Sequence, residues 1–398
     1  MTRSDGKVLV TDGRTLSSLA IVRSLGAAGI DVHVCDDFRA NLSSFSTHVS
    51  ASKIHPSIGD DPTAFIEWLV ALCEEEAYDL VIPVRDETLR ALSSHRATVS
   101  AVSSLFIADD ALIQQLMDKG TCMQLAETVG VPIPTTYYPG EEGIEAIGKR
   151  AAFPVLIKPR IASGARGIVR VEEPTELARK YAAVAQDYPD PIIQEYVDHA
   201  GGHYSIGTLF DRESEPVATH VYKETKQYPI SGGPAVNAVT VEKEPWVEEL
   251  LGLLRAVNWQ GPAHMDVLYD PADDTYKLLE VNPRFWMSLH LSIRSGVDVP
   301  RLLFELARGE RPEETTDYEV GTEYRWVFPN EILWTLSNGN KMTALRQLLA
   351  PGRNGVCYGI ASREDPAPLV GMATQSVRFL LTAEKRKMIF DRGWADGG

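Results

Sequence analysis

The sequence predicts a chain of mixed α/β and α+β class with a Rossmann-like N-terminal part, and three observations carry that expectation. Residues 7–11 (KVLVT), a loop at Asp12, Gly13 and Arg14, a helical stretch over 16–28, a stop at Gly29 and a second apolar run at 32–35 form a βαβ opening. Residues 153–171 read as strand, glycine loop, strand. Residues 261–284 (GPAHMDVLYDPADDTYKLLEVNPR) read as a hairpin around a turn containing Pro271, Asp273 and Asp274.

In the first unit, the run LVIPV (80–84) supplies a later parallel strand, and its continuous apolar character suits a strand covered on both faces. Ligands of open parallel sheets lie beyond the carboxyl ends of the strands. That placement makes Arg14, Arg85, Asp86 and Glu87 candidates for the substrate side of a cleft, although Asp86 and Glu87 equally suit first-turn helix charges. No GxGxxG follows the first strand, which disfavours a dinucleotide site.

A helical signal over 109–129 and the stretch Gly130-Val131-Pro132-Ile133-Pro134 mark a linker into the central part. FPVLIKPR (153–160) then places Lys158 near a strand end, ahead of Ser163, Gly164, Ala165, Arg166 and Gly167. Glycines let backbone N–H groups approach phosphate oxygens, and a strand lysine adds a point charge to the same phosphates. The loop lacks the GxxxxGK[ST] spacing, and a plain glycine hairpin is the competing reading. IIQEYV (192–197) is a further strand, broken at 198–202 before the β pattern resumes over 204–210, and a helix over 245–257 precedes the hairpin.

Antiparallel counting in the hairpin sets Val267 opposite Leu279 and Asp266 opposite Glu280. Directly opposed Cβ atoms stand roughly 4.5–5.5 Å apart, so the two carboxylates need a cation or a proton between them. Asn282 offers a third oxygen on the same strand face. Such hard oxygen ligands suit Mg²⁺, with Mn²⁺ as an alternative, and a solvated edge hairpin is the competing reading.

Taken in order, Lys119, the Lys158 strand, the glycine loop, QEYV and the D…E-x-N-P-R series resemble the ATP-grasp superfamily of carboxylate-amine ligases, over roughly residues 110–310. NPRFWMSLHLSIRSGVDVP and KQYPISGGP are similar to its carbamoyl-phosphate-synthase-like and D-aspartate-ligase-like branch. The resemblance implies a pre-ATP-grasp α/β domain (1–108), a helical linker (109–134), and a two-lobed ATP-grasp domain. The lobes would be a lid (135–197) and a core with the metal site (198–317), followed by a C-terminal region (318–398). It implies that Asp266, Glu280 and Asn282 hold Mg²⁺ and that Lys119, Lys158, residues Ser163 to Gly167, Gln194, Glu195, Tyr196, Val197 and His203 serve ATP. Arg284 would steady the transferred phosphoryl group or acyl phosphate, with Lys158 beside it. Acceptor recognition would fall to Lys226, Tyr228, Ser231, Gly232, Gly233, Trp286, Ser288 and Arg294, with Arg14, Arg85 and Asp86 across the cleft. Asp266 stands where many members have Glu, and Met287 where a small residue is common.

The implied chemistry is an ADP-forming ligase that activates a small carboxylate as an acyl phosphate for attack by an amine. The alternatives are a bicarbonate-using carboxylase or carbamoyl-phosphate-synthase-like enzyme, and a non-catalytic nucleotide-binding regulator. The formal charge of −16 argues against a nucleic-acid partner. No apolar run reaches membrane-spanning length, and the N-terminus enters a strand without a signal-peptide core, so a cytoplasmic protein is expected, with a homodimer compatible. Cys35, Cys73, Cys122 and Cys357 lack metal-ligand spacing and are expected as buried thiols. Tyr324, Trp326, Phe328 and Trp334 are expected in a core, because no basic residues interleave them.

Overall fold

Val8 and Val10 face one hydrophobic core and Leu9 faces another, so both sides of the strand Lys7–Val10 are buried. In the computed structural model, which describes residues 6–59, 61–162, 164–230, 232–315, 317–350, 352 and 355–382, this strand lies inside a four-stranded parallel sheet. The order is Ala51–Ile54, Asp31–Asp36, Lys7–Val10, Leu80–Ile82. Leu9 shares a core with Cys35, Phe65 and Val81, whereas Val8 and Val10 share the other with Leu16, Leu19 and Ile21 of the helix Leu16–Ala27. Thr15 caps that helix by accepting from Ser18 N.

The helical stretch expected over 109–129 is two helices, Asp110–Met117 and Lys119–Val129. Asp118 between them is extended and its carboxylate caps the second helix through Thr121 N, so an acid that favours a cap divides the run. The break makes Lys119 the first residue of a helix.

A second sheet, antiparallel throughout, has the order Thr136–Tyr137, Ile192–Glu195, Val155–Lys158, Val169–Val171. The helices Ile144–Arg150 and Pro174–Asp187 pack on it through Ile147, Leu177 and Val184, and these close a small core of its own with Val155, Ile157 and Ile193.

The third sheet has seven strands, in the order Thr275–Asn282, Gly261–Asp270, His203–Phe210, Pro216–Gln227, Ala235–Thr240, Glu323–Arg325, Cys357–Tyr358. Its last two strands come from the C-terminal region, which therefore extends the central sheet. Asp365 fastens that region to the first unit, accepting from Arg23 Nε at 2.9 Å, Ser46 Oγ at 2.7 Å and Thr47 N at 2.9 Å. Tyr324 and Trp326 are buried as expected, but Phe328 is 38% exposed, because it sits in extended conformation inside the irregular turn Val327–Glu331. The four cysteines are free and buried.

The indole of Trp286 is 1% exposed and lies so close over the strand at Gly207 that a Cβ there would meet its ring at 2.2 Å. Gly207→Ala is expected to destabilise the fold by about 1–3 kcal/mol through overpacking. A lowered denaturant midpoint, partly restored by adding Trp286→Phe, checks this; an unchanged midpoint would contradict the packing. Among the described residues no helix is long and apolar enough to cross a membrane.

Candidate active site

Alternation along Gly261–Asp270 sends Ala263, Met265 and Val267 into a hydrophobic core and leaves His264 and Asp266 on the opposite, cleft face. Asp266 pairs directly with Glu280, and His264 with Asn282. Val267, however, pairs with Leu278 and not with Leu279, because a bulge interrupts the register after Asp266. The extra residue lets both Leu278 and Val281 reach the core while Glu280 and Asn282 face the cleft.

The two acids and the amide are in contact. Asn282 Nδ2 donates to Asp266 Oδ2 at 3.1 Å and to Glu280 Oε1 at 3.2 Å, while its Oδ1 accepts from Arg284 Nη2 at 3.2 Å. An amide N–H group bridging two carboxylates holds the position that a cation would take, and a half-turn of the amide presents its oxygen there instead. Among the described residues no three His, Cys, Asp or Glu side chains gather as a metal cage. Two carboxylates and one amide oxygen suit an ion that completes its shell with water and phosphate oxygens, as Mg²⁺ does, better than a zinc site.

Lysines close over this pair. Lys119 Nζ lies 2.8 Å from Glu280 Oε2 and donates to the Ala162 carbonyl at 2.9 Å. Burial opposes the Lys119 ammonium, but Glu280 outweighs it and the net direction is upward. Burial likewise works against Glu280, yet Lys119, Asp266 and Asn282 bring its carboxyl down to about 2. Asp266 goes the other way, raised by burial and then by the Glu280 and Glu224 charges. The two carboxyls are thus pushed in opposite directions, Glu280 toward the charged form by Lys119 and Asp266 toward the neutral form by burial and its acidic neighbours. Lys158 is 8% exposed, and burial lowers its ammonium to about 8. Its Nζ donates to Gln194 Oε1 at 2.5 Å, and Gln194 Nε2 donates to Thr136 Oγ1 at 2.9 Å.

The glycine loop adopts the left-handed geometry its composition suggests, with positive φ at Gly164, Ala165 and Gly167. At Gly167 a side chain would strike the Tyr188 ring and Pro159, so only glycine fits. Arg166 and Ala162 line one cleft with Lys119, Glu280, Asn282 and Asp86. Ser163 and Ser231, both singled out in the sequence, lie outside the described residues.

On the strand Ile192–Glu195 the side chains alternate, Gln194 toward Lys158 and Glu195 away, where its Oε1 accepts from the Tyr137 hydroxyl at 2.5 Å and Ala152 N at 3.1 Å. The strand ends before Tyr196 and Val197, short of the expected 197. Tyr196 stacks on His199, and His203 Nε2 lies 2.9 Å from His199 Nδ1, with burial holding His203 down at about 3.

Arg284 reaches across to the first unit, where its Nε donates to Asp86 Oδ1 at 2.5 Å. The pair joins two residues that the sequence marks separately. Glu87 also lines the cleft, and Arg85 Nη2 donates to it at 2.8 Å.

Several expected substrate residues are engaged elsewhere. Arg14 is held by Asp36 and by Asp37, the latter at 2.6 Å, because these acids end the neighbouring strand beside the loop that carries it. Lys226 Nζ lies 2.8 Å from the fully buried Glu331, which also accepts from Arg325 and Asn237. Trp286 is interior, donating from Nε1 to Ser292 Oγ at 3.2 Å, and Arg294 is exposed in the last turn of the helix Leu289–Ser295. Tyr228 is half-buried, and Gly232 and Gly233 shape its loop, Gly233 packing on the Tyr228 carbonyl. Ser288 is buried at the cleft face beside Tyr222.

Sequence reasoning missed Ser205, Tyr222, Glu224 and His264, which share the face of Asp266. Their alternation is visible in HYSIGTLF and HVYKETKQ, but a bulge between Pro216 and Ala218 shifts the register that would align them.

Residues 116–288 match the model of an ATP-grasp domain. The D-aspartate ligase of Enterococcus faecium is 24% identical over 291 residues, covering 67% of this chain and 68% of that protein. The pyruvate carboxylase of Bacillus subtilis is 25% identical over 228 residues, and there the chain spans only 19% of the relative's length. Among solved structures, the biotin carboxylase domain of the Hydrogenobacter thermophilus 2-oxoglutarate carboxylase, in complex with MgADP and bicarbonate, superposes with a TM-score of 0.65 at 17% identity over 80% of this chain and 73% of that one.

Proposed function

We infer, from the membership of this chain in the ATP-grasp superfamily through residues 116–288, that it is an ATP- and Mg²⁺-dependent carboxylate-amine ligase releasing ADP and phosphate. The observation that carries the reading is the direct opposition of Asp266 and Glu280 under Lys119, with Lys158 and Arg284 converging on the same cleft. A solvated hairpin has no reason to maintain that arrangement.

Asp266, Glu280 and Asn282 would hold Mg²⁺, which supplies charge neutralisation at the nucleotide phosphates. Lys158, Lys119 and the amides of the 164–167 loop bind and orient those phosphates. Arg284 takes the acceptor carboxylate. Asp86 holds its guanidinium ready, and an entering substrate exchanges one carboxylate for another there. The second sheet, with residues 135–197, acts as the lid and 198–317 as the core, behind an N-terminal domain of 1–108 and a linker of 109–134. The substrates are small molecules, and the cytoplasm is the expected location. The D-aspartate ligase supports a C–N ligase, since that relative matches over most of its length, whereas the pyruvate carboxylase matches over a fraction.

A screen of amino acids and small dicarboxylates for ADP release identifies the carboxylate. With it present, hydroxylamine is expected to trap a hydroxamate in step with ADP, even without the natural amine. AMP and pyrophosphate as coupled products would overturn the reading, and ADP release dependent on bicarbonate alone would replace it with carboxylation.

A further inference from the structure

Polar side chains continue along the cleft face beyond the two acids. Strand pairing aligns Glu280, Asp266, Ser205 and Tyr222 in one row across four strands, and Glu224 stands two residues beyond Tyr222 on the same face. Glu224 Oε1 accepts from Ser205 Oγ at 2.9 Å and its Oε2 from Gln227 Nε2 at 2.6 Å, both neutral donors. The two lysines of its own strand are directed elsewhere, Lys223 over the Tyr204 ring and Lys226 to Glu331. Among the described residues no lysine or arginine forms an ion pair with this half-buried carboxylate.

A second observation points to a ligand at the same place. The Tyr222 hydroxyl lies 2.9 Å from His264 Nε2 and is surrounded by Ser205, Ser288 and the carboxylates of Glu224 and Asp266. Ser288 is 2% exposed, and the Tyr222 hydroxyl beside it, already engaged by His264, gives its Oγ no hydrogen bond of full geometry. A buried hydroxyl so incompletely satisfied next to a carboxylate without a cation fits a ligand that brings positive charge and N–H donors.

We propose that Glu224, with Ser205, Tyr222 and Ser288, receives the amine substrate in its ammonium form, two strands away from Asp266, and that the Glu224 carboxylate takes the proton the nitrogen must lose before its lone pair bonds to the acyl carbon and phosphate leaves. The assignment rests on the ligase reading and adds the amine subsite to it. A carboxylate substrate is repelled here and is drawn to Arg284 instead, so the two reactants are sorted by charge to different parts of one cleft. A primary ammonium supplies three donors, enough for Glu224 and for the neighbouring hydroxyl oxygens.

The test compares wild type with Glu224→Gln and Ser288→Ala, using free amino acids as amine donors and hydroxylamine as a nucleophile that is neutral at the assay pH. Glu224→Gln is expected to raise KM for the amine by about tenfold or more, and Ser288→Ala by about threefold, relative to KM for the carboxylate and ATP. Hydroxamate formation is expected to fall far less than amine coupling, because its nucleophile carries no charge. An unchanged amine KM in Glu224→Gln would overturn the amine subsite, as would an equal loss of coupling and hydroxamate. A rise in the Mg²⁺ requirement in place of the amine KM would overturn it in favour of a second cation site. Absence of hydroxamate from the wild type would instead count against the ligase reading itself, which keeps the two failures apart.

Discussion

Asp266→Asn and Glu280→Gln are each expected to lower turnover at least about a hundredfold, roughly 3 kcal/mol of transition-state stabilisation, while shifting thermal stability in opposite directions. The loss of turnover follows from removing one of two charged oxygen ligands. The split in stability follows from their unequal surroundings. Asp266 is raised by burial and by Glu280 and Glu224, so its ionisation destabilises the fold above the ordinary carboxylate range, and a neutral side chain removes that penalty. Its variant should melt at the wild-type temperature or higher. Glu280 is held down to about 2, chiefly by Lys119 against the effect of burial, so it stabilises the fold above its ordinary value of 4.5 and loses that contribution as pH falls toward 2. Its replacement leaves the Lys119 ammonium with the Ala162 carbonyl and only the weaker influence of Asp266, a loss of about 1–3 kcal/mol, between the values for exposed and buried pairs. Calorimetry at neutral and acidic pH, with steady-state ADP release, checks both halves. Near-normal turnover in both variants would remove the hairpin from the active site.

That asymmetry was not legible in the sequence, although the acids themselves were. Counting sets Asp266 opposite Glu280 although it is one residue out on the turn side, where Val267 pairs with Leu278 and Leu268 with Lys277, because the bulge between Asp266 and Val267 restores the count. The bulge itself is invisible, since Leu278 and Leu279 are interchangeable as letters. The apolar runs at Lys7–Val10 and Val155–Lys158 announce buried strands, and Lys158 at a strand end announces a buried charge. What one letter at a time cannot show is a partner far along the chain. Arg14 looks free until Asp36 and Asp37 fold beside it, Lys226 until Glu331 arrives from the C-terminal region, and Trp286 until Gly207 makes room for its ring. Asp86 and Arg284 are each suspicious alone, but their meeting, 198 positions apart, depends on how the first sheet packs against the third. Glu224 is hidden for the same reason, its neighbours Ser205 and Asp266 lying on two other strands.

Lys158→Met is expected to reduce turnover by about a hundredfold or more and yet to stabilise the unliganded protein. Burial lowers the Lys158 ammonium from 10.5 to about 8, which corresponds to about 3 kcal/mol of destabilisation while the group is charged in both states. The penalty is fully present below about pH 8 and disappears as pH rises from there to 10.5, where the folded protein has released the proton and the unfolded chain still binds it. A methionine of similar length removes the charge, and the lost hydrogen bond to Gln194 offsets part of the gain. The melting temperature of the variant should therefore exceed that of wild type at pH 7, with the gap narrowing as pH rises. Nucleotide phosphates favour the charged lysine, so ATP binding is tied to its protonation. Wild-type affinity should hold up to about pH 8 and then fall, whereas the variant, weaker throughout, should lack that fall. Isothermal titration at pH 7, 8 and 9 separates the two. A variant that binds ATP as wild type does, with the same dependence on pH, would show that Lys158 is a core lysine with no phosphate to meet.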